Sequence, residues 1–193
     1  MGKRLWSGGL KNAAPLMTVE RPLSSRRIYE GRVISLRTEE VELPSGRRVL
    51  REIVEHRGAV AMVPLIDGDV MLVRQFRAAV GRALLEIPAG SLEPGESVES
   101  GLQRELAEEI GMRAGHTEHL ITFYPSPGFL TEAVHVYAAG DLVPHRLYAE
   151  EEDLSVERVP LAKAVALVGQ GEIVDAKSII GLLLLDARRD PPR

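Results

Sequence analysis

The run Gly-Ser-Leu-Glu-Pro-Gly-Glu-Ser-Val-Glu-Ser-Gly-Leu-Gln-Arg-Glu-Leu-Ala-Glu-Glu-Ile-Gly-Met spans Gly90 to Met112 and constrains this chain more than any other stretch. Its second half, Ser97 to Ile110, has the length and composition of one helix. At about 100° per residue, Val98, Leu102, Leu106 and Ile110 fall on one apolar stripe, each four residues after the last. Glu105 and Glu109 lie at the edge of that stripe, with Glu108 beside them. Carboxylates three and four apart share a helix face and repel one another. Partly burying them side by side costs more unless a cation neutralises them. A helix that aims three glutamates at the core side therefore calls for a metal ion. A solvated acidic face would tolerate the same repulsion at about a few tenths of a kcal/mol, but it leaves the framing glycines without a purpose.

Length and composition suit one catalytic domain with additions. A chain of 193 residues can bury a full core. The absence of cysteine excludes disulfides and thiolate metal sites. Near the N-terminus no apolar stretch of signal-peptide type occurs, and Ile179 to Leu185 is too short to cross a bilayer. A cytoplasmic protein without a membrane partner is expected. The net charge of −4 and the lack of a basic, aromatic-interleaved stretch argue against nucleic-acid binding.

Local patterning predicts a mobile tail over residues 1–17, a β segment over 18–57 and a catalytic domain over 58–193. In the β segment, strands are expected at Arg27–Leu36, Arg37–Leu43 and Arg47–Glu55, with a turn at Leu43-Pro44-Ser45-Gly46. Ala59–Ile66 and Val70–Phe76 read as strands joined by Asp67-Gly68-Asp69. Further strands are expected at Leu120–Phe123, Ala133–Ala138 and Val156–Val159, and closing helices at Leu161–Gly169 and Asp175–Arg188. In Leu84-Leu85-Glu86-Ile87-Pro88-Ala89-Gly90, Pro88 fixes the strand exit and leaves the Ala89 carbonyl available as a metal ligand. The arginines of Val73-Arg74-Gln75-Phe76-Arg77 have the chemistry for phosphate.

The Gly90–Met112 run resembles the Nudix box at every specified position: Gly, five residues, Glu, seven residues, Arg-Glu-apolar-any-Glu-Glu-any-Gly-apolar. That resemblance implies a Mg²⁺- or Mn²⁺-dependent hydrolase of a nucleoside diphosphate linked to another group. The implied fold is an α/β/α sandwich around a mixed sheet, here with an N-terminal antiparallel β segment. Carried over, Glu105, Glu108 and Glu109 would be metal ligands, hard oxygens of the kind Mg²⁺ takes. Glu96 and Arg104 would tie loop to helix by an ion pair. Gly90 and Gly111 would occupy backbone positions that a Cβ forbids.

Joined to the box, "LEIPAG", "VRQFR" and the later "SPG", with Pro127 standing about 15 residues past it, resemble the ADP-ribose pyrophosphatase branch. The branch implies that Arg51 and Arg77 hold the diphosphate or the adenosine side, and that Ser126, Gly128 and Glu132 line the distal ribose. It also implies a homodimer whose N-terminal strands swap across, setting Arg32 and Val33 of "YEGRVISL" against the partner's adenine. A catalytic glutamate on a mobile loop would fall at Glu152, with Glu151 second, assisting Glu105 and Glu109. Glu152 would act as a base or as a metal-linked group. The products would be AMP and ribose 5-phosphate. Two alternatives stay open: a Nudix enzyme for another sugar nucleotide (ADP-glucose, GDP-mannose) or a dinucleotide, and a non-catalytic ADP-ribose sensor. Turnover of a substrate panel separates them.

Overall fold

A computed structural model describes residues 19–145 and 154–189. The expected tail and the acidic segment Glu150–Asp153, including Glu151 and Glu152, lie outside the described residues. The chain runs β1 (Arg21–Glu30), β2 (Ser35–Glu42), β3 (Arg48–Glu55), β4 (Ala59–Ile66), β5 (Asp69–Arg77), β6 (Arg82–Glu86), β7 (Ala89–Ser91), α1 (Val98–Glu109), β8 (Met112–Phe123), β9 (Val134–Pro144), β10 (Leu154–Pro160), α2 (Leu161–Gly169) and α3 (Ala176–Arg189).

Two sheets result. β1, β2 and β3 form an antiparallel three-stranded sheet, and the second sheet has the order β10-β5-β4-β9-β8, with β6 on β5 and β7 on β4. The second sheet is mixed because β4 and β9 run parallel at its centre, Ala59 opposite Val134 and Pro64 opposite Ala139. β4 is apolar along its length because helices cover both of its faces. Its side chains alternate: Val60 and Met62 join Leu102, Leu106 and Ile110 of α1, whereas Ala61 and Val63 join a core with Leu161, Ala164, Leu182 and Leu185 of α2 and α3. This is the α/β/α sandwich with an N-terminal antiparallel sheet that the resemblance implies.

Helix boundaries follow the sequence pattern. Ser97 caps α1, its hydroxyl accepting from the Ser100 N–H at 3.1 Å. Asp175 does the same for α3 through the Ser178 N–H, also at 3.1 Å. Strand boundaries depart more widely: β1 starts at Arg21 rather than Arg27, β9 runs on to Pro144 rather than ending at Ala138, and β6 and β7 are strands whose bounds the patterning does not mark. A break falls at Gly31–Ile34, where the Gly31 N–H donates to the Ile34 carbonyl at 3.0 Å. Residues 27–36 are therefore not one strand, and Arg32 and Val33 sit at a hairpin tip. β8 begins at Met112, well before Leu120; between them Ala114 alone is buried before Leu120 is reached, so the alternation that marks a half-buried strand is missing.

The two sheets are stitched at the end of β3. The Val54 N–H donates to the Phe129 carbonyl at 2.7 Å, and the Thr131 N–H donates to the Val54 carbonyl at 3.0 Å.

Candidate active site

Burial of the apolar stripe aims the acids. Leu102 and Leu106 are fully buried, and Glu105 and Glu109 at the stripe's edge are each only 7% exposed. Both reach β7. Glu109 Oε2 accepts from the Ala89 N–H at 2.9 Å. Val60 pairs with Gly90 and Ala61 with Ala89, and the Met62 N–H donates to the Pro88 carbonyl. Alternation along an antiparallel ladder then turns the Ala89 N–H and carbonyl away from β4, toward the helix acids. Glu105 lies over Gly90 so closely that a Cβ on that glycine would stand 1.8 Å from its Oε1. Gly111 meets a different demand, a left-handed backbone with φ of +67° just past the helix.

Arg104 is the cation of this cluster. Its Nε and Nη2 donate to the two oxygens of Glu96, each at 2.9 Å, and Nη1 donates to Glu105 at 2.7 Å and Glu108 at 3.0 Å. Nη2 also reaches the Ser91 carbonyl at 3.1 Å. These bonds, those to Glu96 foremost, push the guanidinium above its ordinary range. The same Arg104 bonds hold the Glu96 carboxyl below the usual carboxylate range. The loop bearing Glu96 is thereby pinned to the helix.

The donor chemistry suits a hard divalent cation: three carboxylates on one helix face and a backbone carbonyl beside them. Among the described residues no three His, Cys, Asp or Glu side chains stand already converged on one point. The reason is visible in the contacts, since Arg104 lies between Glu105 and Glu108 while Glu109 is turned to the Ala89 N–H.

Across the site, Glu86 is 1% exposed and carries two cationic partners. Arg77 grips it with Nε at 2.9 Å and Nη2 at 2.7 Å, and Lys177 of α3 bonds the same carboxylate as well as Asp175 at 2.9 Å. Burial pushes the Glu86 carboxyl up, but the Arg77 bonds and the Lys177 charge outweigh it and leave the group below the usual range. Arg77, chiefly through Glu86, is raised in turn.

A cavity of about 730 Å³ connects these parts. It is lined by Glu105, Glu108, Glu109 and Ala89, by Arg77 and Lys177, and by Glu132, Arg32 and Val33. The chain's own hairpin tip thus supplies Arg32 and Val33 to its own cavity. Arg51 and Gly128 do not reach it: they line a separate cavity of about 480 Å³, where Arg51 Nε donates to Glu20 at 3.1 Å. Ser126 lines neither; its carbonyl closes a turn, accepting from the Leu130 N–H at 3.0 Å. Sequence reasoning missed His56 and Lys177 of the large cavity. Their places in the cavity depend on tertiary contact, Lys177 with Glu86 across 91 positions and His56 with Thr131 across 75.

Comparison with known families decides what this arrangement belongs to. Residues 55–179 match the NUDIX domain, and residues 20–54 match the nucleoside diphosphate sugar hydrolase N-terminal domain. The chain belongs to the Nudix family. Nudix hydrolases work with divalent metal ions, in keeping with the acid cluster on α1. The chain is 41% identical over 173 residues to an ADP-ribose pyrophosphatase of Bacillus subtilis, covering 88% of this chain and 94% of that protein. It is 36% identical over 170 residues to a methanol dehydrogenase activator of Bacillus methanolicus, covering 86% and 92%. A solved structure of an ADP compounds hydrolase superposes with a TM-score of 0.81 at 25% identity, over 93% of this chain and 99% of that one. Among the described residues no helix is long and apolar enough to cross a membrane.

Proposed function

We propose that this Nudix enzyme hydrolyses the diphosphate of ADP-ribose, consuming one water and releasing AMP and ribose 5-phosphate. The observation that carries the reading is that one cavity is lined by the α1 carboxylates, Arg77 and Glu132 together. Such a space takes a diphosphate in the middle with a polar group at each end. The ADP-ribose pyrophosphatase of Bacillus subtilis, alike over nearly its whole length, supports the choice of substrate.

Glu105, Glu108 and Glu109, with the Ala89 carbonyl, would hold Mg²⁺ (or Mn²⁺), which supplies charge neutralisation at the phosphates and a lowered pKa for attacking water. The chain's own residues do the rest. Arg77 binds a phosphate oxygen while Glu86 and Lys177 keep its fork in place. Arg32 stacks on the adenine face with Val33 beside it. Glu132 accepts from a hydroxyl of the distal ribose. Glu152, outside the described residues, takes the proton from water as the diphosphate bridge breaks. Two copies associate through the N-terminal sheet, where Ile28, Tyr29 and Leu50 are 45%, 56% and 64% exposed. The enzyme works in the cytoplasm.

The test is kcat/KM for ADP-ribose, ADP-glucose, GDP-mannose, NADH and FAD with Mg²⁺, repeated in EDTA. ADP-ribose leads and EDTA abolishes release of AMP. Another substrate in the lead, or binding of ADP-ribose without turnover, refutes the assignment.

A further inference from the structure

The turn that carries the chain from β3 into β4 sets an imidazole on the cavity wall. The His56 N–H donates to Thr131 Oγ1 at 3.0 Å, and that hydroxyl donates back to the His56 carbonyl at 3.3 Å. The ring is fixed as well. The Gly58 N–H donates to Nδ1 at 3.1 Å, so Nδ1 is an acceptor and the neutral ring carries its proton on Nε2. Gly58 presents that N–H from a left-handed backbone, φ +95°, where a Cβ would lie 3.2 Å from the Ala133 carbonyl oxygen. The His56 side chain is 9% exposed, and Nδ1 stands 3.5 Å from Glu132 Oε1. With Nδ1 unprotonated, Glu132 takes no proton from the ring and keeps its accepting capacity. Nε2 is 3.4 Å from Ser91 Oγ, too long for a strong bond, so its N–H keeps most of its donating capacity. His56, Ser91 and Glu132 all line the large cavity.

We propose that His56 is a specificity-determining residue for the group distal to the nucleotide, its Nε2–H donating to a hydroxyl oxygen beside the Glu132 carboxylate that accepts from a hydroxyl. The proposal rests on the reading of this cavity as the ADP-ribose site. A sugar hydroxyl is donor and acceptor at once, and a tautomerically fixed N–H beside a carboxylate is its complement. A distal group without hydroxyls would leave both enclosed polar groups unsatisfied.

The test compares the wild type, His56→Ala and His56→Gln on two substrates: ADP-ribose, and the ethyl ester of ADP, which keeps the diphosphate and lacks the sugar. His56→Ala should lose about 10- to 100-fold in kcat/KM on ADP-ribose and stay within about twofold on the ester. His56→Gln, whose amide N–H can donate, should recover part of the loss. Because both substrates meet the same variant, a loosened turn would lower both alike. Equal losses on the two substrates, or no loss on ADP-ribose, overturn the proposal. A wild type that hydrolyses neither refutes the substrate reading instead. His56 is then judged by binding of ribose 5-phosphate: a Kd about tenfold higher in His56→Ala sustains it, and an unchanged Kd overturns it.

Discussion

Replacing Gly90 by alanine should separate activity from stability. The added Cβ would lie 1.8 Å from Glu105 Oε1, 2.0 Å from Cδ and 2.3 Å from Oε2, inside the carboxylate. Ordinary contact begins at 3.4 Å, so the carboxylate must retreat by about 1.6 Å, more than the displacement of about 1 Å that can cost 100-fold in rate. Fold stability should respond far less. Gly90 is not among the glycines with positive φ, so alanine meets no backbone strain and gains about 0.4–1 kcal/mol by restricting the unfolded chain. Against this stands an off-rotamer Glu105, about 0.5–1.5 kcal/mol. The two nearly cancel, and Tm should move by no more than about 4 °C. The assay is kcat/KM for ADP-ribose with Mg²⁺ beside a thermal melt of the same sample. The expected outcome is a fall of about 100-fold with the melt almost in place. Wild-type kcat/KM in Gly90→Ala would falsify the claim that Glu105's seat over Gly90 sets the site. Loss of the fold would refute the claim that the clash is local.

Glu86→Gln strips the buried partner from Arg77 and Lys177 and should cost about 3 kcal/mol, or about 6–12 °C of Tm, by differential scanning calorimetry at neutral pH. The folded carboxyl of Glu86 lies below its ordinary value of 4.5, so its contribution is whole above that pH and fades as pH falls through the folded value. Wild type and variant should therefore converge in stability once pH has fallen through that depressed value, and a gap that shows no narrowing as pH falls below 4.5 contradicts the ion-pair account. Glu152→Gln should slow AMP release by about 10²- to 10⁴-fold with ADP-ribose binding retained; unchanged release removes Glu152 as the base. Light scattering should give twice the chain mass, and Leu50→Glu on the exposed sheet should halve it; a wild-type monomer refutes the dimer.

How much of this was legible in the sequence varies with how local the physics is. The α1 stripe and its glutamates were readable because helical periodicity converts spacing into a face, and Leu102 and Leu106 are buried where that face predicts. β4 was readable because two covered faces leave an unbroken apolar run. The break between β1 and β2 was not. Most of β1 is exposed, so no burial pattern records its register, and Glu30-Gly31 was the remaining turn signal. Arg51 was legible as an arginine but not as to place. Its register opposite Glu39 in β3 and its bond to Glu20 set it in a different cavity, which no count of residues along the chain could show.

The same division runs through the site itself. The three glutamates, the arginine that bonds Glu105 and Glu108 and the glycine beneath Glu105 lie within one short segment, and a chain that keeps that segment keeps a place for metal and phosphate. Arg77, Glu132, His56 and Lys177 come from four other elements or turns. What holds them is a set of long-range bonds: Ile87 N–H to Ser178 Oγ at 2.8 Å, Lys177 to Glu86, and Thr131 to His56. Changes in the first group should therefore act on turnover of every diphosphate alike. Changes at Glu132 and His56 should act unequally, according to what each substrate carries beyond the diphosphate, whereas Arg77, with Lys177 behind it through Glu86, meets the phosphate that every substrate shares. A substitution at Glu132 or His56 that lowered turnover of all diphosphates equally would mean that selectivity and chemistry are not separately housed. The bonding argues that they are: Glu132 and His56 are placed by the turn from β3 and by Thr131, not by the segment that carries the helix carboxylates.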